Sequence, residues 1–425
     1  MNRTVLLAAS LAFAFSAGAA NAQNQCVGKV PELRVIAQAS PSVLVTEANL
    51  PEFEQKWKTK VTITKFGEQE RRAKARLDLS LGAGVYHVIY MEEGNLAEYV
   101  KANWLYPIKP LVPTEYDFDD YRKDMSSIAT IDGVQYYAPF EGGGDILMYR
   151  KDILDAKHIK VPTTFDELEA AIKAVHDPAH GIYGWAMRGE RGFGMNVWRW
   201  IPLYVMNGGK WLTDDGKPAF AGDIGVKATQ QYLDLMKYTP PGGGSASWSD
   251  AVEAFRSGQV AFFIEVDVFG PWMEDPSKSN IVGKVGYAPP PAPLPSAGWA
   301  HGWAISTVAV KDNDDCLKAV AGDFVGWSTS KEMEQRRLKA GMISDIGRQS
   351  TLTSDAYKKA VNPDWLKAVL TTQPETRVLF LRRPEWPQVG DSLGLVLEQL
   401  STGQRADVAG ALKEASDQAE DALSN

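Results

Sequence analysis

Two periodicities of apolar residues alternate along the chain. Leu33 to Ala37, Val61 to Thr64 and Val85 to Tyr90 are short runs rich in β-branched and aromatic residues, and each predicts a strand. Between them, Ser42 to Lys58 and Glu68 to Leu81 read as helical. Asn49 and Pro51 mark a helix start, and Gly82 marks a helix end. Such strand–helix–strand alternation predicts an open, mostly parallel sheet with helices on both faces. Gly133 and Tyr136 to Phe140 interrupt it. The glycines at 142–144 then read as a flexible crossing or a close backbone approach before a strand at Ile146 to Tyr149. A second α/β unit follows. Thr164 and Glu167 form a capping box ahead of Phe165, Leu168, Ile172 and Val175, which share one helical face. Arg188 to Arg199 reads as a loop. Trp248 leads a helix that ends at Gly258, and strands are predicted at Val260 to Ile264 and Gly302 to Ser306, with a proline-rich extended segment between them. From Asp315 onward the pattern is mostly helical.

Composition narrows the class. With 44% apolar and 23% charged residues the chain is neither disordered nor a disulfide scaffold, and 425 residues suffice for two or three domain-sized units. The net charge of −8 argues against nucleic acid or an anionic membrane as partner. The basic runs Arg71-Arg72-Lys74-Arg76 and Arg382-Arg383 read as solvated faces. Met1 to Ala22 has a basic start, an apolar stretch and an Ala20-Asn21-Ala22 cleavage signal, so residues 1–22 are expected to be a secretory signal peptide. No later stretch is apolar enough to span a bilayer. Export would place Cys26 and Cys316 in an oxidising compartment, where they either bridge or leave Cys316 a buried thiol.

Motifs for chemistry are largely missing. There is no phosphate-binding glycine loop, nucleophile elbow or HExxH motif, and Pro178 separates His176 from His180. No metal or cofactor is expected. Carboxylates past strand ends remain: Glu92 and Glu93 after the third strand, and Glu265 and Asp267 at the i, i+2 spacing that points both to one face. They could contact a ligand, form salt bridges, or act as the acid pair of a carbohydrate-active hydrolase. Tryptophan is abundant, at 13 residues. An indole face suits the C–H face of a sugar or polyol, and Trp198, Trp248 and Trp303 are the candidate platforms.

Several segments in order resemble one family. Leu105-Tyr106-Pro107-Ile108, Asp132 to Pro139, Leu147 to Asp152, Val161 to Leu168, Glu253 to Ala261, and Gly403 with Ala411-Leu412 resemble recurring elements of the extracellular solute-binding protein family 1 of ABC transporters, which includes maltose-binding protein. His87, Phe165 and the stretch Ile343 to Arg348 depart from its usual pattern. The resemblance implies a two-lobed α/β periplasmic-binding-protein fold of type II, hinged around a ligand cleft. Lobe one would comprise 28–139 with 302–342, and lobe two 140–301 with 343–425. It implies a periplasmic monomer that does no chemistry and delivers a small polyhydroxylated ligand, a polyol or sugar, to an inner-membrane permease. In that cleft Trp198, Trp248 and Trp303 would stack on the ligand. Glu68, Glu92, Glu265 and Asp267 would accept hydroxyl protons, and Arg188, Arg191 and Arg348 would donate. The turn Ser40-Pro41-Ser42 would supply backbone N–H groups. The alternatives are the hydrolase using Glu265 and Asp267, and a binding protein for a charged metabolite.

Overall fold

The computed structural model describes residues 25–424 except 343 and 345. The expected signal peptide lies outside the described residues.

The main sheet is built from β1 (Glu32–Gln38), β2 (Lys60–Phe66), β3 (Val88–Glu92), β6 (Ala138–Arg150), β7 (Tyr183–Ala186), β8 (Val260–Val266), β9 (Val285–Ala288) and β10 (Gly298–Ile305). A small hairpin of β4 (Thr130–Ile131) and β5 (Val134–Gln135) stands apart. The strand order is β2-β1-β3-β10-β6-β8-β7, with β9 also paired to β6. β1 is parallel to β2 and β3, and β7 is parallel to β8. β6 and β10 are antiparallel to each other and to the strands beside them. They join a three-strand parallel group at one end to a β8–β7 group at the other.

Helices follow the parallel strands and start at their carboxyl ends. Pro41–Ala48 follows β1, Glu68–Ser80 follows β2, and Glu93–Lys101 follows β3. Ser40 caps the first of these by accepting from the Val43 N–H. The Thr164–Glu167 capping box forms with both reciprocal bonds.

The hydrophobic interior is divided on either side of β6 and β10. One core gathers Val35, Phe53, Trp57, Tyr90, Trp303 and Phe324; another gathers Leu147, Ile172, Trp200, Tyr232, Trp386 and Leu412. The helix Lys331–Lys339 packs on the first side, where Arg337 donates to Thr46 Oγ1 at 3.0 Å.

Two sequence expectations change. The strand expected at Ile146 to Tyr149 begins earlier and runs straight through the glycines at 142–144, which are therefore not a flexible crossing. The other reading, close backbone approach, holds. A Cβ on Gly142 would come 2.7 Å from the Trp299 carbonyl oxygen, and one on Gly143 would come 2.1 Å from Asp267 Oδ1. The loop at Arg188 is also shorter than expected, because a helix, Asn196–Met206, begins inside it.

Cys26 and Cys316 are joined in a disulfide across 290 residues of sequence. It ties the start of the described chain to the helix Asp315–Ser328. Closing so long a loop removes much of the unfolded chain's freedom. Replacing both cysteines by serine is therefore expected to lower unfolding free energy by about 2–5 kcal/mol, read from urea denaturation with the fold otherwise retained.

Candidate functional site

The carboxyl ends of β1, β3, β7 and β8 converge on a cleft of about 640 Å³. Its walls come from both sides of the molecule, with Glu141 of β6 and with Trp299 and His301 of β10 at the crossing. Several lining residues stand at helix starts: Ser40, Glu68, Glu93 and Trp248. This follows from the strand–helix connection, which delivers each helix N-terminus to the strand's carboxyl end. Those N-termini carry partial positive charge and favour oxygen-rich groups.

On one side, Ser40 Oγ donates to Glu141 Oε1 at 2.7 Å, and Tyr90 O–H donates to Glu141 Oε2 at 3.0 Å. Tyr90 O–H also lies 3.0 Å from His301 Nδ1. Glu93 Oε2 accepts the Ala300 N–H at 3.1 Å and lies 3.8 Å from His301 Nε2. Burial, reinforced by the charge of Glu92, lifts Glu93 to about 8, and burial lowers His301 to about 3. At neutral pH both groups are therefore mostly uncharged. Arg72 reaches the wall from the helix Glu68–Ser80, bound to Glu68 Oε1 at 2.8 Å and to Glu92 Oε2 at 3.0 Å.

On the other side Arg188 forms a two-point pair with Glu265, at 2.7 and 2.6 Å, and donates to the Gly194 carbonyl at 2.6 Å. Behind it Arg199 binds Asp145 at 2.9 Å and lies 3.8 Å from Glu265. Burial raises the cost of charge on Glu265, but Arg188 and Arg199 outweigh it and hold its carboxyl below the usual range. Aromatic surface is supplied by Trp248, stacked on Phe269 at 5.5 Å, and by Trp272, Trp198 and Trp299.

Of the residues expected from sequence, Ser40, Glu68, Arg188, Trp198 and Trp248 lie in the cleft wall. The others do not, and each has a physical reason. Trp303 is 0% exposed, packed among Tyr90, Phe140 and Phe324. It shares the face of β10 with Trp299 and His301 but sits deeper along the strand, under the first core. Glu92 points to the buried side and pairs with Arg71 at 2.6 Å, while the next residue, Glu93, reaches the cleft. Glu265 is the buried partner of Arg188. Asp267 lies just past the end of β8, where the alternation of faces lapses; it packs on Gly143, and its carbonyl accepts from Trp365 Nε1 at 2.8 Å. Arg191 pairs at the surface with Asp391. Arg348 is fully buried, over the Tyr121 ring and bonded to the Thr329 carbonyl at 2.8 Å. Ser42 is buried, and the Ser40 N–H is already donated to the Gln38 carbonyl at 2.9 Å, so this turn offers fewer N–H groups than expected. Glu93, read from the sequence as a carboxylate past a strand end but not assigned to the ligand, does line the cleft; among the lining residues missed altogether are Arg72, Glu141, Trp272, Trp299 and His301. The run of alternating aromatic and small residues from Trp299 to Trp303 was a signal for two of them.

Residues 40–335 match the sequence model of the bacterial extracellular solute-binding proteins. The chain belongs to that family. Members of this family are ligand-binding components of ABC transporters, and this protein is one rather than an enzyme. It is 26% identical over 378 residues to the mannitol-binding protein of Pseudomonas aeruginosa, covering 85% of this chain and 84% of that one. Its fold is similar to that of an Agrobacterium vitis S4 solute-binding protein with bound D-mannitol, with a TM-score of 0.82, 25% identity, and coverage of 92% of this chain and 98% of the other. It is similar also to an Agrobacterium radiobacter K84 solute-binding protein in complex with ribitol, with a TM-score of 0.83, 27% identity, and coverage of 93% and 99%. These relatives establish the two-lobed α/β fold of a periplasmic-binding protein for this chain. No helix among the described residues is long and apolar enough to cross a membrane.

The buried acids make stability depend on pH. Asp267 is lifted by burial to about 7, with Arg122 opposing, and Glu93 is lifted to about 8. In the unfolded chain both ionise near pH 4. Between about pH 4 and 8 the unfolded state therefore binds fewer protons, and these groups lower stability as pH rises. Glu93→Gln is expected to melt above the wild type at pH 8, with the difference vanishing near pH 4, as followed by thermal melts across that range.

Proposed function

We propose that this protein binds a linear polyol, a hexitol or pentitol, in the interlobe cleft and delivers it to an inner-membrane ABC permease. The observation that carries this reading is the composition of the cleft wall. Half-buried indole surfaces at Trp248 and Trp299 face hydrogen-bonding groups from both lobes, and relatives of the same fold hold D-mannitol and ribitol. An extended polyol offers alternating C–H and O–H groups, so aromatic faces and fixed donors and acceptors can be used together. Glu68 and Glu141 are the acceptors in this reading, protonated Glu93 can donate its O–H, and Arg72 and Arg188 are further donors. The division into lobes at 28–139 with 302–342 and 140–301 with 343–425 belongs to the same reading, supported by the separate cores, with hinge motion about β6 and β10 closing the cleft. So do a periplasmic location after removal of residues 1–22 and action as a monomer.

A thermal melt against D-mannitol, ribitol, maltose, glucose and amino acids tests it. Ligand at one hundred times its dissociation constant stabilises by about 2.7 kcal/mol, and the shift is expected with polyols. A shift confined to sugars or amino acids overturns the polyol assignment. Two tryptophan variants separate platform from core. Trp299→Ala is expected to weaken polyol affinity at least tenfold, about 1.4 kcal/mol, measured by titration calorimetry. Trp303→Ala is expected to cost about 3–5 kcal/mol of stability, measured by denaturation, because its ring fills the first core.

A further inference from the structure

Among the described residues, every cation in the cleft wall has a carboxylate of its own. Arg188 is held by Glu265 at two points, Arg72 by Glu68 and Glu92, and Lys278 by Asp275 at 3.4 Å. His301 is kept neutral by burial. The acidic groups of the wall, by contrast, outnumber the basic ones. With Glu93 protonated at neutral pH, Glu68, Glu141, Glu274 and Asp275 still line it against Arg72, Arg188 and Lys278. The pairing is deepest at Arg188. Glu265 and Asp145 are 0% exposed, and together with Arg188 and Arg199 they form a stack of two guanidinium groups and two carboxylates with no net charge. Arg188 therefore offers hydrogen-bond donors to the cleft without offering it a positive field.

Resting on the polyol reading above, we infer that the cleft selects by charge sign: it accepts neutral and cationic polyhydroxylated ligands and refuses anionic ones, with Glu265 as the residue that sets this at Arg188. An anionic ligand would enter a pocket whose guanidinium charge is already compensated and would meet excess carboxylate, losing its hydration without a free counter-charge. A ligand with one ammonium group gains attraction from the same excess. The inferred ligand class is thus polyols together with amino-deoxy polyols, to the exclusion of sugar acids and sugar phosphates. Glu265 acts through Arg188 and is a positioning and charge-setting residue, not a ligand contact.

Calorimetric titration with D-mannitol, D-mannonate and 1-amino-1-deoxy-D-mannitol, at low and high salt, tests the inference. The wild-type protein is expected to bind mannonate at least a hundredfold more weakly than mannitol, and the amine within tenfold of mannitol. Glu265→Gln leaves two guanidinium groups over one buried carboxylate. It is expected to improve the mannonate-to-mannitol affinity ratio at least tenfold, with the gained affinity falling as salt is added. Mannonate binding by the wild type within tenfold of mannitol overturns the inference. So does equal refusal of anion and amine, or a folded Glu265→Gln protein with an unchanged ratio. If Glu265→Gln does not fold, Asp145→Asn makes the same net-charge change one layer deeper, and the wild-type ratios decide alone. If neither hexitol nor pentitol binds, the polyol reading fails separately, and the charge ratio is read on a bound neutral sugar and its uronate.

Discussion

The structure depends on two strands that belong to both halves of the molecule. β6 and β10 pair side by side and carry the sheet from the parallel group at β3 to the group at β8. Where they cross, the backbone of β6 packs against the Trp299 carbonyl, the Asp267 carboxyl and the Thr376 hydroxyl with no room for side chains, and three successive glycines satisfy that constraint. A side chain at Gly142 would collide with the β10 backbone, and one at Gly143 or Gly144 with the Asp267 or Thr376 side chain. The cleft lies at this crossing, so Glu141, Trp299 and His301 are placed by the same pairing that joins the lobes. The cleft wall and the junction of the lobes are thereby built on one pair of strands.

Around that crossing, polar groups are buried in compensated sets. Arg71 and Arg72 meet Glu92, Arg122 meets Asp124, Arg188 meets Glu265, and Arg199 meets Asp145. Isolated buried charge is costly, and pairing with good geometry recovers much of that cost. The result is a wall rich in directed hydrogen-bonding groups whose guanidinium charges are each compensated, with a small excess of carboxylate. Such a wall suits a ligand that is recognised by its hydroxyls. A solute carrier also gains from donors and acceptors held in place before ligand arrives, because less ordering is left to be done on binding.

The same physics explains which residues sequence reasoning could find. Periodicity located β1, β2, the helix Glu68–Ser80, the capping box at Thr164 and the strand nature of β8, since these follow from local spacing and cap chemistry. The rule that ligands sit past strand carboxyl ends brought Glu92 and Glu93 into view together, and Glu93 is the one that reaches the cleft. It failed one residue along at Glu92, because a strand ending and a helix beginning reverse the side a carboxylate faces. It failed at Asp267 for the same kind of reason, in the turn after β8. Trp299 and Trp303 share one strand face, and nothing in their spacing separates a cleft platform from a core ring. That separation is made by the tertiary neighbours: Tyr90, Phe140 and Phe324 enclose Trp303, while Trp299 stays half-buried at the cleft.

The sequence by itself determined the α/β alternation, the order of the elements, the family, and the chemical character of the site: indole surface, carboxylates and guanidinium groups at strand ends. Those are properties of local spacing and residue type. Only the tertiary structure decided which of those groups meet. Arg188 and Glu265 are 77 residues apart, Ser40 and Glu141 are 101 apart, and Cys26 and Cys316 are 290 apart. Contacts at such separation are set by how β6 and β10 thread between the lobes, and local pattern carries no record of that path.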